Sequence, residues 1–233
     1  MKARFLWRAY RARLADQAAE LALIQRHTRP GDLACDVGAN KGSYLYWMAR
    51  WAGRVVAFEP QSGLADYLRA AASAVPMKNV TIEQSGVSDH TGVLKFYMPS
   101  TNSPEASLRP IDGAQTIEIP VVALDEYFAP SDRVKMLKVD VEGAELDVFK
   151  GAERILTHDR PVILFECEQR HLRTGSVFDC FRHLEARGYT GKFILGKTLR
   201  PVSEFDLAVH QNATGDRFWK EPGYSNNFLF VPD

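Results

Sequence analysis

The stretch Asp36-Val37-Gly38-Ala39-Asn40-Lys41-Gly42 ends one apolar run, Leu33-Ala34-Cys35-Asp36-Val37. A second run, Val55-Val56-Ala57-Phe58, follows it and ends in Glu59-Pro60. Glycines after a strand let the backbone turn tightly and approach a ligand closely. An acid at the tip of the next strand can accept both hydroxyls of a ribose, its role in dinucleotide-binding folds. Together they predict a strand–helix–strand unit with a nucleoside pocket at its open end.

Outward from this unit, Leu14, Ala18, Leu21 and Ala22 recur at helical spacing and predict one N-terminal helix running to about His27, ended by Pro30-Gly31-Asp32. Helices are expected over 43–51 and 62–74, with a third strand over 80–84 and a loop Ser85-Gly86-Val87-Ser88-Asp89 beyond it. Strands are expected over 93–98 and 117–122. Residues 99–116 between them are rich in Ser, Pro and Asn, and a loop this long inside a compact domain is usually functional. Pro104 and Pro110, flanking Ser107, predict a shaped lid with Ser107 reaching into the site. A short helix starts at Leu124-Asp125-Glu126-Tyr127. A strand over 134–139 ends at Asp140, a helix covers 145–155, and a fifth core strand over 161–165 ends at Glu166. A helix over 176–187 stops at Gly188, and 228–231 closes the chain as a strand.

Apolar strands alternating with helices argue a parallel sheet covered on both faces. Ligands of such sheets sit beyond the carboxyl ends of the strands, where the strand order reverses. Asp36, Glu59, Ser85, Asp140 and Glu166 all fall at predicted strand ends. With no internal repeat and no linker, the chain reads as a helical extension, 1–29, followed by one domain, 30–233.

The chain has 233 residues, of which 45% are hydrophobic, as in ordinary globular proteins. Lys+Arg and Asp+Glu both number 29, so overall charge gives no argument for a nucleic-acid partner, and none is expected. Cys35, Cys167 and Cys180 lack metal-like spacing. Cys35 and Cys167 sit in apolar runs as small buried hydrophobes, which points to a reducing, cytoplasmic setting. No apolar stretch suffices to span a bilayer, and no secretory signal follows Met1. The first residues interleave Lys2, Arg4, Arg8, Arg11 and Arg13 with Phe5, Leu6, Trp7 and Tyr10. Such a helix suits peripheral contact with an anionic membrane. The plainer reading is a packing helix with a solvated basic face.

The glycine turn lacks the middle glycine of a dinucleotide fingerprint, and its order Lys41-Gly42-Ser43 is not that of a phosphate loop. An acid ahead of the first glycine repels phosphate and suits an ammonium group. S-adenosylmethionine combines an amino-acid end, a ribose, an adenine and a sulfonium cation. Asp36 would favour the positive ligand, Glu59 would bind the ribose, and the loop from Ser85 through Gly86 and Val87 would flank adenine.

Beyond the turn, Phe58-Glu59-Pro60, Leu124-Asp125-Glu126 and Leu137-Lys138-Val139-Asp140-Val141-Glu142-Gly143-Ala144-Glu145 recur in order, followed by Val148-Phe149-Lys150-Gly151-Ala152. In these motifs the chain resembles the FkbM family of S-adenosylmethionine-dependent methyltransferases, over about half its length. The resemblance implies a class I methyltransferase (Rossmann-like) α/β fold, a mostly parallel seven-stranded sheet with helices on both faces. It also implies O-methylation of a hydroxyl on a sugar, glycolipid or polyketide. Gly38, Asn40, Gly42 and Pro60 join Asp36, Glu59, Ser85, Gly86, Val87 and Asp140 as the expected cofactor-binding set.

Methyl transfer from a sulfonium needs an aligned acceptor oxygen and a way to remove its proton. His171 is the expected general base, since imidazole titrates near working pH; the plainer alternative is a helix-cap or surface histidine. Asp140, Glu142 and Glu166 complete the catalytic candidates. Asp140 orients either the methionine end of the cofactor or the acceptor hydroxyl. Carboxylates at Asp140, Glu142, Glu166 and Glu168 also suit magnesium, but no spacing is diagnostic and no metal is assigned. His210-Gln211 and Tyr224-Ser225-Asn226-Asn227 either close the pocket or cap the last strand. Two rival classes stand beside this reading. A nucleotide-sugar-modifying enzyme on a dinucleotide fold is disfavoured by the missing glycine and the lack of a Tyr-x-x-x-Lys pair. A non-catalytic module that binds the adenosyl cofactor is disfavoured by the intact acids.

Overall fold

The computed structural model describes residues 1–98, 112–172 and 174–233. Helices α1 (Lys2–Arg11) and α2 (Ala18–His27) lead into β1 (Leu33–Val37), α3 (Ser43–Trp51), β2 (Arg54–Phe58), α4 (Ser62–Ala74) and β3 (Val80–Glu83). Then come β4 (Gly86–Val87), β5 (Gly92–Met98), β6 (Gln115–Val122), α5 (Leu124–Tyr127), β7 (Val134–Val139), α6 (Glu145–Lys150), β8 (Val162–Glu166) and α7 (Val177–Glu185). The chain closes with β9 (Tyr189–Leu195), β10 (Thr198–Pro201), α8 (Leu207–His210) and β11 (Asn227–Pro232).

The main sheet has the order β10-β9-β11-β8-β7-β1-β2-β3. Its central five strands, β8-β7-β1-β2-β3, pair in parallel, and β11 runs antiparallel between β8 and β9. From β1 the chain builds outward to β2 and β3 on one side, and later to β7 and β8 on the other. The order therefore reverses between β1 and β7, where a ligand crevice opens.

Alternation along β1 sorts its residues onto two cores. Leu33, Cys35 and Val37 pack with Leu124, Val148, Phe149 and Phe181, on the side of α5, α6 and α7. Ala34 packs with Phe5, Leu21, Leu45 and Leu68, on the side of α1 to α4. Asp36 has the parity of Ala34 and so faces the N-terminal helices.

The mostly parallel sheet with helices on both faces matches expectation, but it has eight strands rather than seven. The extra strand is β10, folded back on β9 through the turn at Gly196-Lys197. The strands read at 93–98 and 117–122 leave the main sheet. As β5 and β6 they pair antiparallel, join β4, and bury their own cluster of Phe96, Met98, Ile119 and Val121. The single N-terminal helix is two, because Gln17 leaves the helical region (φ −134°, ψ 34°) after a π turn over Ala12–Asp16. The helix read over 145–155 stops at Lys150, and a π turn follows over Ile155–Asp159. Residues 99–111 of the expected lid, Ser107 included, lie outside the described residues, and Gln115 and Thr116 already belong to β6.

α1 buries Phe5 and Ala9 against α3, and the Trp47 indole N–H donates to the Ala9 carbonyl at 2.8 Å. Its other face leaves Trp7 and Tyr10 exposed, and Leu14 of the following π turn is exposed as well. Among the described residues no helix is long and apolar enough to cross a membrane.

Candidate active site

At the reversal point β1 and β7 come into backbone contact. A Cβ at Gly38 (φ 81°) would stand 1.9 Å from the Asp140 carbonyl oxygen, so no larger residue fits without pushing the strands apart. Beside this contact lies a cavity of about 200 Å3. Gly38, Asn40, Glu59, Pro60, Ser85, Gly86 and Val87 from the expected cofactor set line it, and Asp140, Glu142 and Glu166 form a carboxylate wall.

Glu59 is 3% exposed. One carboxylate oxygen accepts the Asn40 N–H at 2.8 Å and the other the Gln61 N–H at 2.9 Å. The two amides fix the carboxylate in place, and each oxygen keeps a further lone pair for a ligand hydroxyl. Burial pushes the acid up to about 7, against the pull of those two donors. Phe58, Val87 and Phe96 give the same cavity apolar surface suited to a flat base.

The carboxylate wall is not uniform. Lys138 Nζ donates to Asp140 at 2.9 Å. Burial, with Asp140 as a charged neighbour, raises the Glu166 acid well above the carboxylate range, and Asn226 donates to it at 2.7 Å. Glu168 stands behind the wall. Burial would raise it, but Arg170, Tyr224 and Asn226 donate to it and together hold it below its ordinary value. Tyr224 and Asn226 thus support the wall, and Gln211 bonds the Cys167 carbonyl at 2.7 Å, so the polar residues near the last strand brace the loop after β8.

His171 does not line the cavity. Its Nδ1 pairs with Glu142, which does. The arrangement depends on an unusual turn: Glu142 takes φ 51° and Gly143 φ 97°. A Cβ on Gly143 would stand 2.5 Å from the His171 carbonyl oxygen, so glycine lets the two segments close on each other. Left-handed backbone at a non-glycine residue is uncommon and clusters at functional sites. Burial alone would lower the His171 pKa, but the hydrogen bond and charge of Glu142 outweigh it and raise it. Glu142 is itself raised, chiefly by burial.

Two expected ligand residues lie elsewhere. Gly42 lines neither this cavity nor its neighbour; it packs against Phe5 and Leu68 under α1. Asp36 also reaches neither cavity. It is 1% exposed on the α1–α4 face, and neither oxygen has a hydrogen-bond partner among the described residues. Its register partner across β1 and β7 is Lys138. Burial pushes Asp36 up to about 6, with Lys138 opposing. Lys138, 1% exposed and lying over the Tyr44 ring at 4.6 Å, is the residue that motif reading passed over. A lysine inside a strand expected to be buried on both faces is the signal for it, since a buried charge needs a partner. Asp125, by contrast, is structural: it accepts the backbone N–H of Arg154 and Ile155.

A second cavity, of about 220 Å3, opens on the other side of the glycine turn and shares Gly38, Asn40 and Asp140 with the first. Among the described residues no group of three His, Cys, Asp or Glu side chains is placed to hold a metal ion.

A family model for the methyltransferase FkbM domain matches residues 36–190. No curated protein sequence matches the chain. Solved structures of similar fold include a methyltransferase FkbM from Methylobacillus flagellatus, at 18% identity and TM-score 0.56. That alignment covers 97% of this chain and 58% of the other, so the chain spans little more than half the length of that relative. A Streptococcus mutans protein in complex with SAH aligns at 9% identity and TM-score 0.54, over 91% of this chain and 94% of its own. An rRNA methylase from Streptococcus thermophilus aligns at 12% identity and TM-score 0.51, over 92% and 95%. At such identities the likeness to solved structures is one of fold.

Proposed function

This chain belongs to the FkbM methyltransferase family, and we propose that it moves a methyl group from S-adenosylmethionine to a hydroxyl of a sugar, glycolipid or polyketide. In this reading residues 30–233 form the catalytic unit and 1–29 an extension packed on it. The observation that carries it is Glu59. A buried carboxylate is held by two backbone N–H donors at the carboxyl end of β2, on the wall of a cavity bounded by three more acids.

The residues fit the cofactor. Glu59 accepts the ribose hydroxyls. Ser85, Gly86 and Val87, with Phe58 and Phe96, flank the base. Asp140 on the wall favours a cation. The bound cofactor supplies a methyl group made electrophilic by its sulfonium.

The chain's own residues do the rest. Glu142 and Glu166 present carboxyl groups that hydrogen-bond a polyhydroxylated acceptor and align one oxygen with the methyl carbon. As that oxygen gains the methyl group it loses its proton to the Glu142–His171 pair, with Glu142 on the cavity side and His171 behind it.

Two measurements test this together. Calorimetry with S-adenosylhomocysteine should show binding, and NAD should show none. A labelled-methyl screen over sugars, glycolipids, polyketides and RNA should place label on a hydroxyl oxygen of one of the first three. Absence of S-adenosylhomocysteine binding overturns the cofactor assignment. Label on RNA or on nitrogen overturns the acceptor class.

A further inference from the structure

The second cavity joins a piece of the chain outside the family match to the glycine turn. Its wall is made by Gly38, Asn40, Lys41, Ser43 and Asp140 of the catalytic unit, by Arg8 of α1 and by Gln17 at the joint before α2. Neither cavity alone reaches the roughly 300 Å3 at which ligand pockets begin. They share Gly38, Asn40 and Asp140, so together they form one bent site around the turn.

The two halves differ in charge. The first has Glu59 and the acid wall. The second holds two cations, Arg8 and Lys41, in its lining together with the Asp140 carboxylate. Arg8 Nη1 donates to the Tyr67 hydroxyl at 3.3 Å, and no carboxylate pairs with Arg8 or Lys41 among the described residues. Arg11, one helical turn on, is by contrast paired with Asp16. Arg8 is also held in place. Phe5 is 1% exposed and packs edge-on against Tyr46, and the Ala9 carbonyl is tied to Trp47, so the helix on either side of Arg8 is fixed to α3. A planar fork of donors in a half-buried, positioned side chain matches a carboxylate.

We propose that Arg8 of the N-terminal extension binds the carboxylate of the amino-acid end of S-adenosylmethionine, with Lys41 and Ser43 beside it and Asp140 facing the ammonium group. The extension thus completes the cofactor site that residues 36–190 leave open. This rests on the cofactor assignment above and adds to it the residue that tells the full cofactor from its nucleoside half.

Calorimetry with two ligands tests it. S-adenosylhomocysteine carries the amino-acid end, and 5′-methylthioadenosine keeps only the nucleoside and its sulfur. Arg8→Ala should weaken S-adenosylhomocysteine about tenfold to a hundredfold, the worth of a hydrogen bond to a charged group. It should leave 5′-methylthioadenosine within twofold of wild type, which also shows that the variant is folded. Arg8→Lys, keeping charge but not the fork, should fall between. Equal weakening of both ligands, or of neither, overturns the proposal. A wild type that binds neither ligand overturns the cofactor assignment itself, a different result.

Discussion

Replacing Glu59 by Gln separates what the fold needs at this position from what the ligand needs. Burial raises the Glu59 carboxyl from its ordinary 4.5 to about 7. A carboxyl with a higher pKa in the folded than in the unfolded chain holds its proton more tightly when folded. Its contribution to stability is complete below pH 4.5 and is lost as pH rises through about 7. A lift of that size corresponds to about 3 kcal/mol. Gln has no such charge to bury. Its amide can accept only one of the two N–H groups of Asn40 and Gln61 that now meet carboxylate oxygens. That loss costs roughly 1–3 kcal/mol and does not vary with pH. Glu59→Gln should therefore be less stable than wild type at pH 5 and should gain on it by about 3 kcal/mol by pH 8, read from urea denaturation at both. S-adenosylhomocysteine binding should move the other way. At pH 8 the ribose diol loses charged acceptors and affinity drops by about a hundredfold, while wild-type affinity weakens as pH falls below 7. Parallel stability curves for the two proteins would refute the account of burial. A shifted curve with unchanged ligand affinity would refute Glu59 as the ribose acceptor.

Two further outcomes are expected. If the Glu142–His171 pair takes the acceptor's proton, the transfer rate rises with pH through a value above the ordinary histidine 6.5. Glu142→Gln removes the anion that holds it there, so the inflection moves to lower pH and kcat falls about a hundredfold with S-adenosylhomocysteine affinity unchanged; an inflection that stays in place rejects the pair. Lys138→Met removes the buried cation beside Asp36 and Asp140. It should cost about 3–5 kcal/mol at pH 8 and less at pH 5, where Asp36, raised by burial to about 6, holds its proton and no longer needs a counter-ion. Equal urea midpoints for wild type and variant at pH 8 would show that Lys138 is not their counter-ion.

The strand ends were legible because the glycine turn and the acids after apolar runs carry local signals. Gly38, Glu59, Ser85, Asp140 and Glu166 all stand at the carboxyl edge where the pattern puts them. The main sheet was less so. β9 carries Thr190, Gly191 and Lys192 among its apolar residues, and β10 is four mostly exposed residues, so neither stands out as a core strand. The small sheet of β4, β5 and β6 has exposed positions along most of its length, a pattern that marks a strand but does not say which sheet it joins. Asp36 is a different case. Its motif suggested a ligand, but a motif does not give the direction of a side chain. Alternation does: with Cys35 and Val37 facing the core under α5 to α7, Asp36 has to face the other way.

That direction explains why the buried charges are there. Lys138 is paired with Asp140, and replacing such an ion pair by apolar residues is often neutral or stabilising, so the pair contributes little net stability to the fold. What it supplies is position. Lys138 Nζ ties down Asp140, whose side chain remains 28% exposed at the reversal point and faces both cavities. The same face of the sheet carries α1 to α3: Tyr44 of α3 lies against Lys138, and α1 brings Arg8 to the rim of the cavity that Tyr44 also lines. The helices that exclude water from the buried ions are therefore the ones that close the second cavity. An acid fixed from below by Lys138 and a cation held from above by α1 make two opposite charges of fixed place, which is what a zwitterionic amino-acid end requires.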